Sequence, residues 1–150
     1  MPEARANGAS LYYEEHGSGE AIVGLHGAGS SAAFWNDAAH ELATRGRTIV
    51  YDRRGHFQSE RAEPYATDVH EQADDAAALI DVLGAAPAIV IGRSYGGATV
   101  IDLALRHPDR VRAWCSWKET VGCRATRRSI GRSWRANAGI SIDAASTLPR

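Results

Sequence analysis

The stretch AIVIGRSYGGATVI, residues 88–101, most limits what this 150-residue chain can fold into. An apolar run stops at Gly92. Ser94 follows between Arg93 and Tyr95, then two glycines, then a helical pattern. A nearly all-apolar strand is one buried on both faces, as central parallel strands are. Ser94 therefore stands on a sharp strand-to-helix turn. A serine hydroxyl is a weak nucleophile and needs a neighbouring base, usually histidine. Which histidine could serve it becomes the central question.

The same alternation runs from residue 9 to 113. Residues 10–17 (SLYYEEHG) predict a strand ending in a turn, and 21–25 (AIVGL) a buried strand closed by HGAG. Residues 32–46 predict one helix stopped by Gly46, and 47–52 (RTIVYD) the next strand. Residues 53–66 are polar and predict a loop. Residues 68–84 predict the clearest helix. Asp68 can cap it with Glu71 three residues on, and Val69, Ala73, Ala76, Ile80 and Leu83 share one face. Residues 88–92 and 111–117 predict strands, with a helix between them at 95–107 that Pro108 stops. Strands alternating with helices imply an α/β fold, a doubly wound and mostly parallel sheet. Ligands then bind beyond the carboxyl ends of the strands. HGAG, DRRG and GRSYGG each follow a strand, so all three gather at that edge.

Composition narrows the function classes. The length fits one domain, and 44% hydrophobic residues with a net charge of −1 exclude a disordered chain. No apolar run approaches the roughly 18 residues of a membrane span. MPEARANGAS carries no apolar signal region. A cytoplasmic protein is expected, with neither membrane nor nucleic acid as partner. Cys115 and Cys123 form neither a metal spacing nor a disulfide framework, and no metal or cofactor is expected.

Gly92-Arg93-Ser94-Tyr95-Gly96 fits the nucleophile elbow G-x-S-x-G, in which side chains at 92 and 96 would collide as strand and helix approach. LHGAGSSAAFW (25–35) and YDRRGHFQS (51–59) stand where two further loops belong. With all three in order, residues 8–113 resemble the α/β-hydrolase superfamily, in its serine-nucleophile branch. The resemblance implies Ser94 as nucleophile and the Ala28 and Tyr95 N–H groups as oxyanion donors. It implies His26, Gly27 and Gly29 as supports of the first loop, and Gly92, Gly96 and Gly97 as the small residues of the elbow. Asp52 and Arg54 are expected to tie the second loop through a charge pair. In relatives that loop usually ends G-x-G-x-S, and Phe57 replaces its second glycine. A serine rather than an aspartate argues against the epoxide-hydrolase and haloalkane-dehalogenase branches. Phe34 and Trp35 are expected to pack rather than to line a pocket. The implied activity is hydrolysis of an ester-like small-molecule substrate.

A rival reading takes Gly27-Ala28-Gly29-Ser30-Ser31-Ala32 as G-x-G-x-x-A, a dinucleotide fingerprint. Asp52 would then bind a ribose hydroxyl. That reading leaves His26 and the elbow unexplained.

The family's order is serine, then acid, then histidine. After Ser94 the chain holds only His107, which at ~1.5 Å per helical residue lies nearly 20 Å away and is expected to cap a helix C-terminus. His16, His40, His56 and His70 are expected on the surface or in loops. Glu119 could stand as an acid, idle without a histidine. The tail also changes character. Residues 1–118 carry a net charge of −5 and 119–150 a net of +4, and three of the four tryptophans follow Ala113. Trp-Cys-Ser-Trp-Lys can be written TGG TGC TCC TGG AAG. Read from its third letter, this gives Val-Leu-Leu-Glu, close to the way relatives continue the strand. A one-nucleotide deletion near codon 114 would produce such a tail. Residues 1–113 are therefore expected to be the N-terminal part of a hydrolase domain, and 114–150 an atypical basic tail outside the native fold. The alternative to an active enzyme is a non-catalytic truncated fragment.

Overall fold

The computed structural model describes residues 2–61 and 68–117, and the backbone of 123–125. The strands are β1 (Glu3–Ala6), β2 (Ala9–His16), β3 (Ala21–Leu25), β4 (Arg47–Tyr51), β5 (Ala88–Arg93), β6 (Val111–Trp117) and β7 (Cys123–Ala125). The helices are α1 (Asn36–Ala43), α2 (Val69–Val82) and α3 (Tyr95–Arg106). They form one sheet in the order β1-β2-β4-β3-β5-β6-β7. The four central strands run parallel, and antiparallel strands flank them on both sides. The fold is α/β with a mostly parallel sheet, as the sequence predicts.

Three details differ from the sequence reading. The hairpin β1–β2 was not foreseen. Asn7 and Gly8 both take positive φ, 47° and 78°, the two-residue turn that Asn-Gly favours because it matches strand twist. The helix expected at 32–46 is split into a 3-10 turn at Ala32–Trp35 and then α1. Cys115 is disulfide-bonded, which cysteine spacing did not suggest. β6 also runs without a break across the Ala113–Trp114 seam, pairing with β5 until Trp117 stands opposite Arg93. Parallel pairing uses only backbone groups, so it tolerates any set of strand-compatible side chains there.

The core lies on both faces. On one, α2 and α3 bury Leu79, Ile80, Val100 and Leu103 against Leu11, Val23, Ile49 and Val90, each worth about 2 kcal/mol. On the other, Trp35 and Ala39 pack with Tyr12 and Val50. A Cβ on Gly24 would lie 3.0 Å from the Trp35 ring, so the bare glycine is what admits that ring against β3. Trp35 is a packing residue, whereas Phe34 is 40% exposed.

Asp68 caps α2 as expected, accepting from the Glu71 amide at 2.8 Å. The buried face is wider than the apolar stripe, because it includes Gln72 and Asp75. Both polar side chains are spent on arginines of the loop after β4. Among the described residues no helix is long and apolar enough to cross a membrane.

Candidate active site

The loops after β3, β4 and β5 meet at the carboxyl edge of the sheet. Ser94, at the head of α3, holds φ 54° and ψ −117°, a region that costs an ordinary residue of order 1–3 kcal/mol. The glycines make it possible. A Cβ on Gly92 would run into the Gly96 carbonyl, and one on Gly96 into the Leu25 and His26 carbonyls. A Cβ on Gly97 would meet the Ser116 hydroxyl. The Ser94 backbone is held on both sides, its N–H donating to the Trp117 carbonyl at 2.9 Å and its carbonyl accepting from the Ala98 N–H at 3.2 Å. The Ser94 side chain is exposed.

The loop after β3 lies directly against the elbow. A Cβ on Gly27 would sit 3.3 Å from Ser94 Cβ and 3.9 Å from Ser94 Oγ. Gly27 is buried, and Ala28 and Gly29 emerge into solvent. Gly29 takes φ 65°, which glycine adopts at little cost.

His26 beneath this loop is fully buried. Its Nε2 accepts from the Arg53 N–H at 3.0 Å, and its Nδ1 lies 2.8 Å from the Gly27 carbonyl. An Nε2 that accepts leaves the proton on Nδ1, so His26 is neutral and donates to Gly27. Burial, helped by the charge on Arg53, pushes its pKa down to about 4. With both nitrogens committed, it supports the loop.

The expected charge pair between Asp52 and Arg54 does not form. Asp52, 1% exposed, accepts from the Ala32 amide at 2.6 Å and the Gln58 amide at 3.0 Å. It thereby staples the loop after β3 to the loop after β4 through backbone groups. Arg54 turns away to Asp75, with Nε and Nη2 at 2.8 and 2.6 Å from its two oxygens, and to Glu71 at 3.4 Å. This forked pairing holds Arg54 above the ordinary arginine pKa. Side chains of adjacent residues leave an extended backbone on opposite sides. β4 ends at Tyr51, so Asp52 and Arg54, two apart, lie beyond the strand, and the chain goes on to turn where Gly55 and Phe57 take positive φ. Each Asp52 carboxylate oxygen thus already carries a backbone amide.

The residue that sequence reasoning missed is Arg53. It is 1% exposed. Its Nη2 donates to the Gly27 carbonyl at 3.0 Å, its Nη1 faces Gln72 Oε1 at 3.4 Å, and its guanidinium lies 4.9 Å from the centre of the Tyr95 ring. Burial lowers its pKa. The signal available was Gln72, a polar residue on the core side of α2.

None of the six histidines is bonded to Ser94 among the described residues. His56 packs on His26, its Nδ1 3.0 Å from the Arg54 carbonyl and its Nε2 3.3 Å from Arg53. His107 ends α3 as expected, with Nε2 2.6 Å from Asp74. His70 pairs with Asp102, and the His16 ring lies tilted against that of His40. Glu119 lies outside the described residues. A shallow depression lined by Glu20, Arg47, Gly84 and Arg112 sits at the opposite, amino edge of the sheet and takes no part in this site.

Known proteins match the same region. A family model for the alpha/beta hydrolase fold matches residues 20–116. RutD of Azorhizobium caulinodans, named as a carbamate hydrolase, is 39% identical over 113 residues, 75% of this chain and 42% of its own length. The 2-(acetamidomethylene)succinate hydrolase of Mesorhizobium japonicum is 35% identical over 104 residues, 69% of this chain and 37% of its own. The solved structure of Est816, described as an N-acyl homoserine lactone degrading enzyme, superposes with a TM-score of 0.72 at 32% identity, over 77% of this chain and 44% of its own. The chain thus spans about two-fifths of the length of the curated relatives it matches. The matched range takes in the loops after β3, β4 and β5, and the chain belongs to the α/β-hydrolase family.

Proposed function

We propose that this chain carries the nucleophile half of a serine hydrolase acting on an ester-like small substrate. The observation that supports it most is the backbone of Ser94, an exposed serine held at positive φ between glycines that admit no side chain. In this reading Ser94 Oγ attacks the substrate carbonyl carbon. A C–O bond forms, the carbonyl π pair moves onto oxygen, and the hydroxyl proton passes to a base. The oxyanion is held by the Ala28 and Tyr95 N–H groups, donors worth ~3–4 kcal/mol each in the transition state. Collapse of the intermediate expels the alcohol or amine and leaves an acyl-Ser94, which water then releases. Tyr95 opens α3, so the helix dipole adds to the field at the oxyanion.

A base is still needed. The curated relatives are more than twice as long as the matched segment, and their remaining length is where an acid and histidine would lie. Labelling with a fluorophosphonate tests the nucleophile. Modification that disappears in Ser94→Ala supports it, and modification that persists there removes it.

A second reading has its own support. Every histidine is engaged elsewhere, which fits a non-catalytic piece, and the change of composition after Ala113 fits a reading frame that departs near codon 114. Resequencing the coding DNA past codon 150 decides this. A restored frame encoding Val-Leu-Leu-Glu and a downstream histidine supports the lost frame. A clean frame discards it.

A further inference from the structure

Arg53 is a buried guanidinium with no carboxylate partner among the described residues. Its hydrogen bonds go to one carbonyl, one amide oxygen and one imidazole, and its Nε has no partner there. Such a charge costs several kcal/mol to bury. Gln72 and the Tyr95 ring offset part of that.

What the guanidinium touches is specific. The Gly27 carbonyl accepts from two donors, Arg53 Nη2 at 3.0 Å and His26 Nδ1 at 2.8 Å. That carbonyl and the Ala28 N–H belong to one planar trans peptide, where C=O and N–H point in opposite directions. Fixing the carbonyl toward the buried Arg53 therefore turns the Ala28 N–H outward, to the side on which Ala28 and Ser94 are both exposed. A carbonyl that accepts charge-assisted bonds also makes its own peptide N–H a better donor. The same guanidinium packs under Tyr95, whose N–H is the second proposed donor. One side chain thus reaches both halves of the hole from behind.

We propose that Arg53 is a positioning residue of the oxyanion hole, its guanidinium fixing the Gly27–Ala28 peptide through the Gly27 carbonyl and bracing Tyr95. This rests on Ser94 being the nucleophile. Arg53 never meets the substrate, so its loss should slow the bond-making step and leave encounter unchanged.

The test is saturation kinetics of fluorophosphonate labelling on the full chain, with Arg53→Met as an uncharged replacement of similar length. The maximal labelling rate is expected to fall about tenfold, a fraction of what deleting an oxyanion donor costs, with half-saturation held within twofold. In 15N-labelled protein the Ala28 nitrogen resonance should move upfield as its peptide carbonyl loses a donor, a change that loosened packing elsewhere would not single out. An unchanged maximal rate in folded Arg53→Met overturns the proposal, and so does an unmoved Ala28 resonance. Should Arg53→Met not fold, Arg53→Gln replaces it: a threefold or greater fall in maximal rate supports the role, and an equal rate overturns it. Failure of the serine reading looks different. Wild type then goes unlabelled, or Ser94→Ala still labels, while the Ala28 resonance continues to report whether Arg53 holds the peptide.

Discussion

The loops after β3 and β4 are held by buried polar side chains, whereas the elbow after β5 is held by side chains that are missing. His26, Asp52 and Arg53 make hydrogen bonds to backbone groups of both loops. The elbow relies on Gly92, Gly96 and Gly97, and on one amide bonded to the end of β6. Polar scaffolding can be titrated and weakened by degrees. Steric scaffolding is indifferent to pH and fails at once when a methyl is added.

The largest effect expected is on the steric side. Gly92→Ala should destabilise by about 4 kcal/mol, because backbone has to move to clear the Gly96 carbonyl. Urea unfolding measures it, and a loss under 1 kcal/mol would show the elbow to be soft. The titration of the polar side comes next. His26 has a folded pKa of about 4, below its unfolded value near 6.5. The unfolded chain therefore takes up the proton first. The stability from keeping His26 neutral is fully present above pH 6.5 and is lost as pH falls from there to about 4. That amounts to about 3 kcal/mol. Melting curves between pH 8 and 4 should show this slope, and His26→Asn should flatten it. Equal slopes in the two proteins would assign the titration elsewhere.

Asp52→Ala leaves the Ala32 and Gln58 amides without their acceptor and should cost about 2 kcal/mol. If the two loops behave as one unit, amide exchange should quicken at both Ala32 and Gln58. Faster exchange at one alone would separate them. The smallest effect runs the other way. Phe57 stands at φ 39° and is 56% exposed, so it bears a left-handed backbone without much burial in return. Phe57→Gly should stabilise by about 0.5–1 kcal/mol. A loss instead would mean that the Phe57 ring contributes more than its exposure suggests.

These contrasts also show which parts of the molecule were legible in its sequence. The strand-to-helix turn at Ser94 was, because steric demands select residue types directly: only glycine fits at 92 and 96. The Asp68 cap was, because it is a local bond between residues three apart. The polar scaffold was legible only in outline. Asp52 and Arg54 were recognised as loop residues, but their partners come from Ala32, Gln58 and Asp75, and none of these follows from spacing. Arg53 and Arg54 are the same residue type side by side, and only the fold sends one under the loop and the other to α2. The β1–β2 turn was overlooked although Asn7-Gly8 announced it. Neither did periodicity reveal that Ala32–Trp35 would wind more tightly than α1.

Strand order carries a consequence for how the chain is made. β3 sits between β4 and β5, yet β5 begins about 60 residues after β3 ends. At about 5–20 residues per second of synthesis, β3 waits roughly 3–12 s for its second neighbour. For that interval a strand whose five residues are all buried in the finished sheet has one edge bare, and an edge of that kind invites pairing with another chain. Its brevity limits the hazard. The nascent chain is thus most open to pairing with a neighbour before Ser94 has even been synthesised.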